Sequence, residues 1–179
     1  NKGRSDEHAQ ILAFKPERVG HAVYMSSDIA SKLTESRIPV EVCITCHEAY
    51  YKVPARENVL KSLMKTDHPA ILCCDNSCLL NTSLSKEYEI AISTFDLTPR
   101  QVHRLVMTSI ETIFADDRTK DKLLALARAR LHNLLPVDGP GPDAAAGSAR
   151  GAGAKAFGGS MPNSKVVSGV AVAVAVLAA

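Results

Sequence analysis

Short apolar runs alternate with helix-forming segments from residue 6 to residue 135, and this alternation constrains the fold more than any other feature of the sequence. The runs predicted as strands are Arg18–Val23, Pro39–Thr45 and Ala70–Cys74. In the second run, apolar and polar side chains alternate through Thr45, as in a half-buried strand. Strands that alternate with helices form βα units around a parallel sheet. The sequence therefore predicts an α/β fold with about three βα units.

Apolar residues at helical spacing mark the segments between and after these runs. The predicted helical segments and apolar stripes are Asp6–Phe14, Asp28–Arg37, Asn58–Lys65, then Leu84/Tyr88/Ile92/Phe95, Val102/Leu105/Val106/Ile110/Ile113/Phe114 and Leu124/Ala127/Leu131/Leu135. Ser27 is predicted to cap the second helix, and Thr98-Pro99-Arg100-Gln101 combines an N-cap, a first-turn proline and a capping-box glutamine. A sheet this narrow has two bare edges, so we expect the chain to be part of a larger α/β assembly.

The composition changes near Pro136, after which Gly, Ala and Pro dominate to the end of the chain. Few large side chains remain to offset the entropy of ordering, so we predict a folded unit at 1–135 and a disordered tail at 136–179. The final apolar segment, Val166–Ala179, is shorter than the about 20 residues that span a bilayer. Gly158-Gly159-Ser160 before it is typical of a lipid-anchor site, although the spacer is shorter than the usual ~8–12 residues. We expect no membrane partner. The alternative interpretation is that a lipid attached at this site anchors the protein to a membrane.

The net charge of +2 is too small to favour nucleic acid as a partner. The amino end shows no apolar run after a basic start, so we predict no secretory signal and a cytoplasmic protein. Its five cysteines are then expected to be thiols in a reducing compartment.

One cysteine string, Cys43-Ile44-Thr45-Cys46-His47, has the C-x-x-C-H spacing of haem attachment. A redox pair and a structural zinc site shared with Cys73, Cys74 and Cys78 are further interpretations, although the second cluster lacks C-x-x-C spacing. The simplest interpretation is that these residues are core thiols beside one strand-end residue.

His21 lies towards the end of the first short predicted strand, and Asp75 ends the third. Polar residues at the carboxyl ends of strands carry the chemistry of βα barrels. Taken alone, a strand-end aspartate is more typical of a turn or helix cap, and a lone histidine is usually just hydrogen-bonded.

Five sequence blocks occur in order between residues 6 and 130. They are K-P-E-R-V-G-H-A (Lys15–Ala22), R-I-P-V-E-V-C-I-T (Arg37–Thr45), H-P-A-I-L-C-C-D-N (His68–Asn76), L-S-K-E-Y (Leu84–Tyr88) and F-A-D-D (Phe114–Asp117). Together they resemble the C-terminal blocks of the adenosine deaminase family, and most of all its subgroup that acts on N6-methyl-AMP. The resemblance implies the C-terminal portion of a TIM barrel. It also implies a monomeric enzyme with one zinc ion, which hydrolytically deaminates a purine nucleoside or nucleotide.

Three residues correspond by this resemblance to functional positions of the family. Asp75 matches the aspartate that ligates zinc, and His21 matches the histidine that orients and helps deprotonate the attacking water. Asn76 stands where an acidic residue usually contacts the purine ring. Zinc lowers the pKa of a bound water to about 7, which allows this hydrolysis at neutral pH.

The family's H-x-H and H-A-G-E segments, which supply the other zinc ligands and the catalytic glutamate, do not occur in this sequence. By resemblance, the sequence begins shortly after that glutamate and carries the last three of eight barrel strands. Catalytic zinc sites use at least three protein ligands, and three strands do not close a barrel. We therefore expect the chain alone to hold no zinc and to be inactive.

The retained blocks also depart from the family pattern. Cys46 and His47 replace a usual Ser-Asn pair, and Cys74-Asp75-Asn76 replaces Thr-Asp-Asp. The alternative function is a truncated or degenerate non-enzymatic member, which acts as an interaction module through its open sheet edges.

Overall fold

The computed structural model describes residues 2–134 and contains a parallel three-stranded sheet with the order β1-β2-β3. The strands are β1 (Val19–Gly20), β2 (Val40–Val42) and β3 (Ala70–Leu72). The helices are α1 (Lys2–Ala13), α2 (Ser27–Ser36), α3 (Ile44–Ala49), α4 (Leu60–Lys65), α5 (Ser77–Leu80), α6 (Leu84–Phe95), α7 (Pro99–Glu111) and α8 (Asp117–Leu134), with a 3₁₀ turn at Ala55–Glu57. Each strand leads into helical structure, which confirms the predicted α/β fold with three βα units.

Prolines precede β2 and β3 and take part in the hydrogen bonding of the sheet. The carbonyl of Pro39 accepts the amide of Val19 at 3.0 Å, and the carbonyl of Pro69 accepts the amide of Val40 at 3.1 Å. A proline at the first position of a strand removes no donor that the ladder needs. These bonds fix the register at the amino ends of the strands.

His68 joins the segments that lead into β2 and β3. Its buried ring places Nε2 2.7 Å from the carbonyl oxygen of Ile38. A carbonyl oxygen only accepts, so Nε2 carries the proton and donates it. Burial lowers the pKa of His68, which favours this neutral ring.

The core lies between the sheet and the long helices. Val40 and Val42 are fully buried, as the strand alternation predicts. The predicted stripes of the last three helices also supply buried residues: Tyr88, Ile92, Val102, Leu105, Val106, Ile110, Ala127 and Leu131. Helix α7 packs on both β3 and α8. A fully buried aliphatic or aromatic side chain contributes about 1.5–3 kcal/mol, so this layer stabilises the sheet on the α7 side.

Phe114 does not pack on the α7 face, contrary to the sequence prediction. Helix α7 ends at Glu111, and the Phe114 side chain beyond it is 74% exposed. The Arg18 guanidinium lies 4.1 Å from the centre of its ring, and the same guanidinium donates to the Thr112 carbonyl at 3.2 Å. A cation–π contact therefore takes the place of the predicted burial.

Several predicted boundaries were wrong. The second strand ends at Val42 rather than Thr45, because α3 begins at Ile44. The other two strands are also shorter than predicted, and α5 was missed. Ser26, not Ser27, caps α2, because its Oγ accepts the amide of Ile29 at 3.4 Å.

The capping box that begins α7 is confirmed, with Thr98 and Gln101 bonded reciprocally. Leu135, the predicted tail at 136–179 and the anchor pattern at Gly158-Gly159-Ser160 lie outside the described residues. Within residues 2–134, none of the helices is both long and apolar enough to cross a membrane.

Candidate functional site

His21 and Asp75 meet at the carboxyl edge of the sheet, where the sequence predicted a site. His21 follows β1 directly, and its amide donates to the Glu41 carbonyl at 2.8 Å. Asp75 follows β3 after two cysteines, and its Oδ2 lies 3.9 Å from Nε2 of His21. The backbone φ of His21 is 63° and that of Ala22 is 50°. Left-handed backbone at two successive non-glycine residues is uncommon and is found at functional sites more often than elsewhere.

Cys46 completes this edge from α3. Its thiol is 1% exposed and donates to Oδ2 of Asp75 at 3.1 Å. Burial first, and then the neighbouring Asp75, raise the pKa of Cys46 to about 12. The thiol is therefore protonated at neutral pH and acts as a hydrogen-bond donor.

The ligand atoms of His21, Cys46 and Asp75 all lie within 4.8 Å of one another. In the described part of the chain, these three side chains form the group of potential metal ligands that is close enough together to hold an ion. Nitrogen, sulfur and carboxylate oxygen all suit zinc. The Asp75 carboxylate fits the ligand role that the resemblance implies, because its side chain is 38% exposed and open to the edge. Cys46 would have to give up its hydrogen bond to Asp75 to act as a second ligand.

The other cysteines do not form the structural zinc cluster considered from the sequence. All five are free, and no metal-binding group in the described residues includes Cys73, Cys74 or Cys78. Cys43 is fully buried after β2, and burial raises its pKa. The positions of Cys43 and Cys46 agree with the simplest interpretation, which is that they are core thiols.

His47 lies at the site next to His21, although the sequence analysis considered it only as the last residue of the haem-like C-x-x-C-H string. The ring is fully buried, with Nε2 3.3 Å from Nδ1 of His21 and Nδ1 2.8 Å from Nδ2 of Asn58. Burial, and secondly the neighbouring His21, lower the pKa of His47 to about 4. It is therefore neutral at pH 7. The replacement of the family's Asn at this position was the signal that could have found it.

Glu87 was also missed, and it explains why the chain turns into α3. Its buried carboxylate accepts the amides of Ile44 and Thr45 through Oε2, at 2.7 and 3.2 Å. The Thr82 hydroxyl donates to Oε1 at 2.7 Å. These bonds satisfy the first amides of α3, which have no partner within the helix. Glu87 thereby positions Cys46 and His47.

Asn76 lies directly before α5 and is exposed. Its side chain forms no capping bond to that helix. It is thus placed beside Asp75 at the same edge, and its predicted contact with a purine stays a prediction.

Aromatic rings line the cleft beside His21. The ring of Tyr51 lies 5.4 Å from that of His21 and 5.9 Å from that of His47, measured between centroids. Tyr24 donates its hydroxyl to the Tyr51 carbonyl, which holds this group together. Such rings provide flat surfaces against which a heterocycle can stack.

Comparison with known proteins shows the family of this chain. The adenosine deaminase family model matches residues 8–129. The N6-methyl-AMP deaminase of mouse is 34% identical over 127 residues, which cover 67% of this chain and 35% of the mouse protein. The human N6-methyl-AMP deaminase is 33% identical over 133 residues, which cover 70% of this chain and 36% of the human protein. This chain therefore belongs to the adenosine deaminase family.

Solved structures support the same fold. Arabidopsis ADAL complexed with IMP superposes with a TM-score of 0.69 and 30% identity, over 72% of this chain and 38% of that one. ADAL complexed with GMP gives a TM-score of 0.66 and 31% identity, over 73% of this chain and 38% of that one. These matches confirm the predicted partial-barrel fold. The chain spans about a third of the length of the curated relatives that it matches.

Proposed function

We propose that this chain takes part in the zinc-dependent hydrolytic deamination of a purine nucleoside or nucleotide. The proposed substrate is N6-methyl-AMP or adenosine, and the product is IMP or inosine. The observation that carries the proposal is the meeting of His21 and Asp75 at the carboxyl edge of a parallel sheet. Catalytic groups of βα barrels lie at this edge, and the chain's relatives include proteins named N6-methyl-AMP deaminase.

The site residues would divide the work as follows. Asp75 would hold zinc, and zinc when bound supplies a Lewis acid that lowers the pKa of water to about 7. His21 orients the attacking water, which adds to C6 of the purine while ammonia or methylamine leaves. Asn76 can hydrogen-bond a ring nitrogen, but an amide cannot protonate that nitrogen as a carboxylic acid does. The loss of a charge-assisted bond there costs on the order of 1.5–3 kcal/mol.

We expect the chain by itself to be inactive, because Asp75 is the single zinc ligand that the family resemblance assigns to it. The proposed setting is cytoplasmic purine metabolism, with a small purine as partner, no nucleic acid, and a monomer in the complete form. Relatives solved with IMP and with GMP support a nucleotide ligand.

A non-enzymatic role is the second candidate. In the described residues β1 and β3 are the edges of the sheet, and Phe14 and Tyr24 near β1 are 84% and 58% exposed. Exposed strand edges and apolar rings can pair with another chain.

A complementation assay separates the two candidates. The 179-residue chain would be incubated with zinc and N6-methyl-AMP or adenosine, alone and with a polypeptide that carries the unmatched part of the Arabidopsis relative. We expect no IMP or inosine from the chain alone and product formation from the mixture. Asp75→Asn and His21→Gln should each remove that activity, whereas the exposed control Glu89→Gln should retain it. An inactive mixture that also fails to bind IMP would favour the non-enzymatic role.

A further inference from the structure

The His47 ring lies between Asn58 and His21 with both of its nitrogens engaged. Nδ1 is 2.8 Å from Nδ2 of Asn58, and Nε2 is 3.3 Å from Nδ1 of His21. His47 and Asn58 are 0% and 1% exposed. Water is therefore excluded as a substitute partner, and the direction of each hydrogen bond follows from the protein groups.

The backbone of α4 fixes the orientation of the Asn58 amide. The amide N–H of Leu60 lies 3.1 Å from Oδ1 of Asn58, and a backbone N–H can only donate. The oxygen of Asn58 must therefore face Leu60, and its NH₂ group must face His47. It follows that Nδ1 of His47 accepts and carries no proton.

A neutral imidazole has one N–H, so the proton of His47 is on Nε2. The lowered pKa of His47, about 4, keeps the ring neutral at pH 7. Its Nε2–H points to Nδ1 of His21, which must then accept. When His21 is neutral, its proton is consequently on Nε2, the nitrogen that faces Asp75.

We infer that Asn58 and His47 are positioning residues that hold His21 in the Nε2–H tautomer at the site edge. We call the hydrogen bonds from Asn58 through His47 to His21 the relay. By resemblance the family has Asn where this chain has His47, so the relay comes from the chain's own substitution. Its consequence for chemistry rests on the proposed function. His21 would donate a hydrogen bond to the oxygen of the attacking water, and the expected removal of a proton by His21 would require the relay to reverse.

The same relay opposes direct binding of a metal ion by His21. A metal ion can bind Nε2 of His21 only if that nitrogen carries no proton. The proton of His21 would then be on Nδ1, where it would face the Nε2–H of His47. If His47 also reversed, its Nδ1–H would meet the NH₂ group of Asn58. Either arrangement leaves two donors facing each other, and a donor without an acceptor in the interior is unfavourable. His21, Cys46 and Asp75 are therefore near one another without forming a prepared three-ligand site.

Histidine nitrogen NMR tests the relay without any need for turnover. The 179-residue chain would be labelled with ¹⁵N at its histidines, and long-range ¹H–¹⁵N spectra would be recorded at alkaline pH, where imidazoles are neutral. We expect a protonated Nε2 and a bare Nδ1 in both His21 and His47. His68 serves as an internal reference, because its Nε2 donates to the Ile38 carbonyl.

The variant Asn58→Asp keeps an oxygen for the Leu60 amide and replaces the donor by an acceptor. The ring proton of His47 should then move to Nδ1, where it is donated to the new carboxylate. Nε2 of His47 becomes an acceptor, so the ring proton of His21 should also move to Nδ1, while His68 is unchanged. Asn81→Gly, which removes an exposed amide at a left-handed position outside the relay, should leave all three rings as in the parent.

A protonated Nδ1 in His21 or His47 of the parent chain would overturn the inference, as would an unchanged His47 in Asn58→Asp. If that variant does not fold, the parent spectrum still decides. A chain that shows the expected tautomers but neither binds IMP nor forms product when mixed with the complementing polypeptide would refute the proposed function alone.

Discussion

The carboxylate of Glu87 gives the sharpest test of how α3 is held in place. We predict that Glu87→Ala lowers the free energy of unfolding far more than Glu87→Gln. The carboxylate is fully buried and accepts three hydrogen bonds, from the amides of Ile44 and Thr45 and from the Thr82 hydroxyl.

The magnitude follows from what each variant leaves unpaired. Alanine removes every acceptor, so the two amides and the hydroxyl lose partners in the interior. Each buried unsatisfied group costs about 1–3 kcal/mol, and the hydroxyl can rotate to another partner, so the two amides give about 2–6 kcal/mol for Glu87→Ala. Glutamine can still present one oxygen to Ile44 and Thr45, and its NH₂ group can donate to Thr82. The remaining loss is that of charge-assisted bonding, about 1–2 kcal/mol.

Urea denaturation followed by circular dichroism measures both variants, with Glu89→Gln on the exposed face of α6 as the matched control. The control should stay within about 0.5 kcal/mol of the parent. The loss in Glu87→Ala is comparable with the total stability of a small domain, about 5–15 kcal/mol, so that variant is expected to be largely unfolded at moderate urea. Equal losses for alanine and glutamine, or a loss below about 1 kcal/mol for alanine, would show that Glu87 does not hold α3 in this way.

Three further predictions concern other elements. Thr98→Ala removes the capping box of α7 and should cost about 0.5–2 kcal/mol in the same urea assay, whereas Thr98→Ser should cost less. The pKa of His47 falls from 6.5 to about 4 on folding. The unfolded chain therefore binds more protons below pH ~6.5, and stability should drop by up to about 3 kcal/mol as the pH falls from there towards 4. This component should vanish in His47→Phe, and an unchanged pH profile would contradict the assignment. Elemental analysis of the purified chain should find less than one equivalent of zinc, and an equimolar ion lost in Asp75→Asn would contradict that expectation.

The sequence predicted the parts of the fold that depend on neighbouring residues. The alternation around Val40 and Val42 and the signals in Thr98-Pro99-Arg100-Gln101 act within one turn or one strand, so a local pattern contains them. The two expected site residues at strand ends, His21 and Asp75, were also brought together, because parallel strands present their carboxyl ends at one edge.

The prediction failed where a distant residue decided the local structure. Ile44 continues the strand periodicity, but Glu87, 43 positions later, accepts its amide and lets a helix begin there. In the sequence, His47 forms part of a cysteine motif, but its partner in the structure, Asn58, comes from beyond the 3₁₀ turn. No local window contains such pairs, since the energy of each contact depends on burial that the whole fold creates.

The two ends of the sheet differ in how far they depend on particular side chains. Pro39, Pro69 and the His68 bond anchor the strands at one end, whereas Cys46, His47 and Asn76, which depart from the family pattern, all lie towards the other. These three residues lie outside the strands, so their side chains form none of the backbone bonds of the sheet. Over evolution, residues at the carboxyl edge can therefore be replaced while the fold is retained, so a loss of catalysis need not be accompanied by a loss of folding.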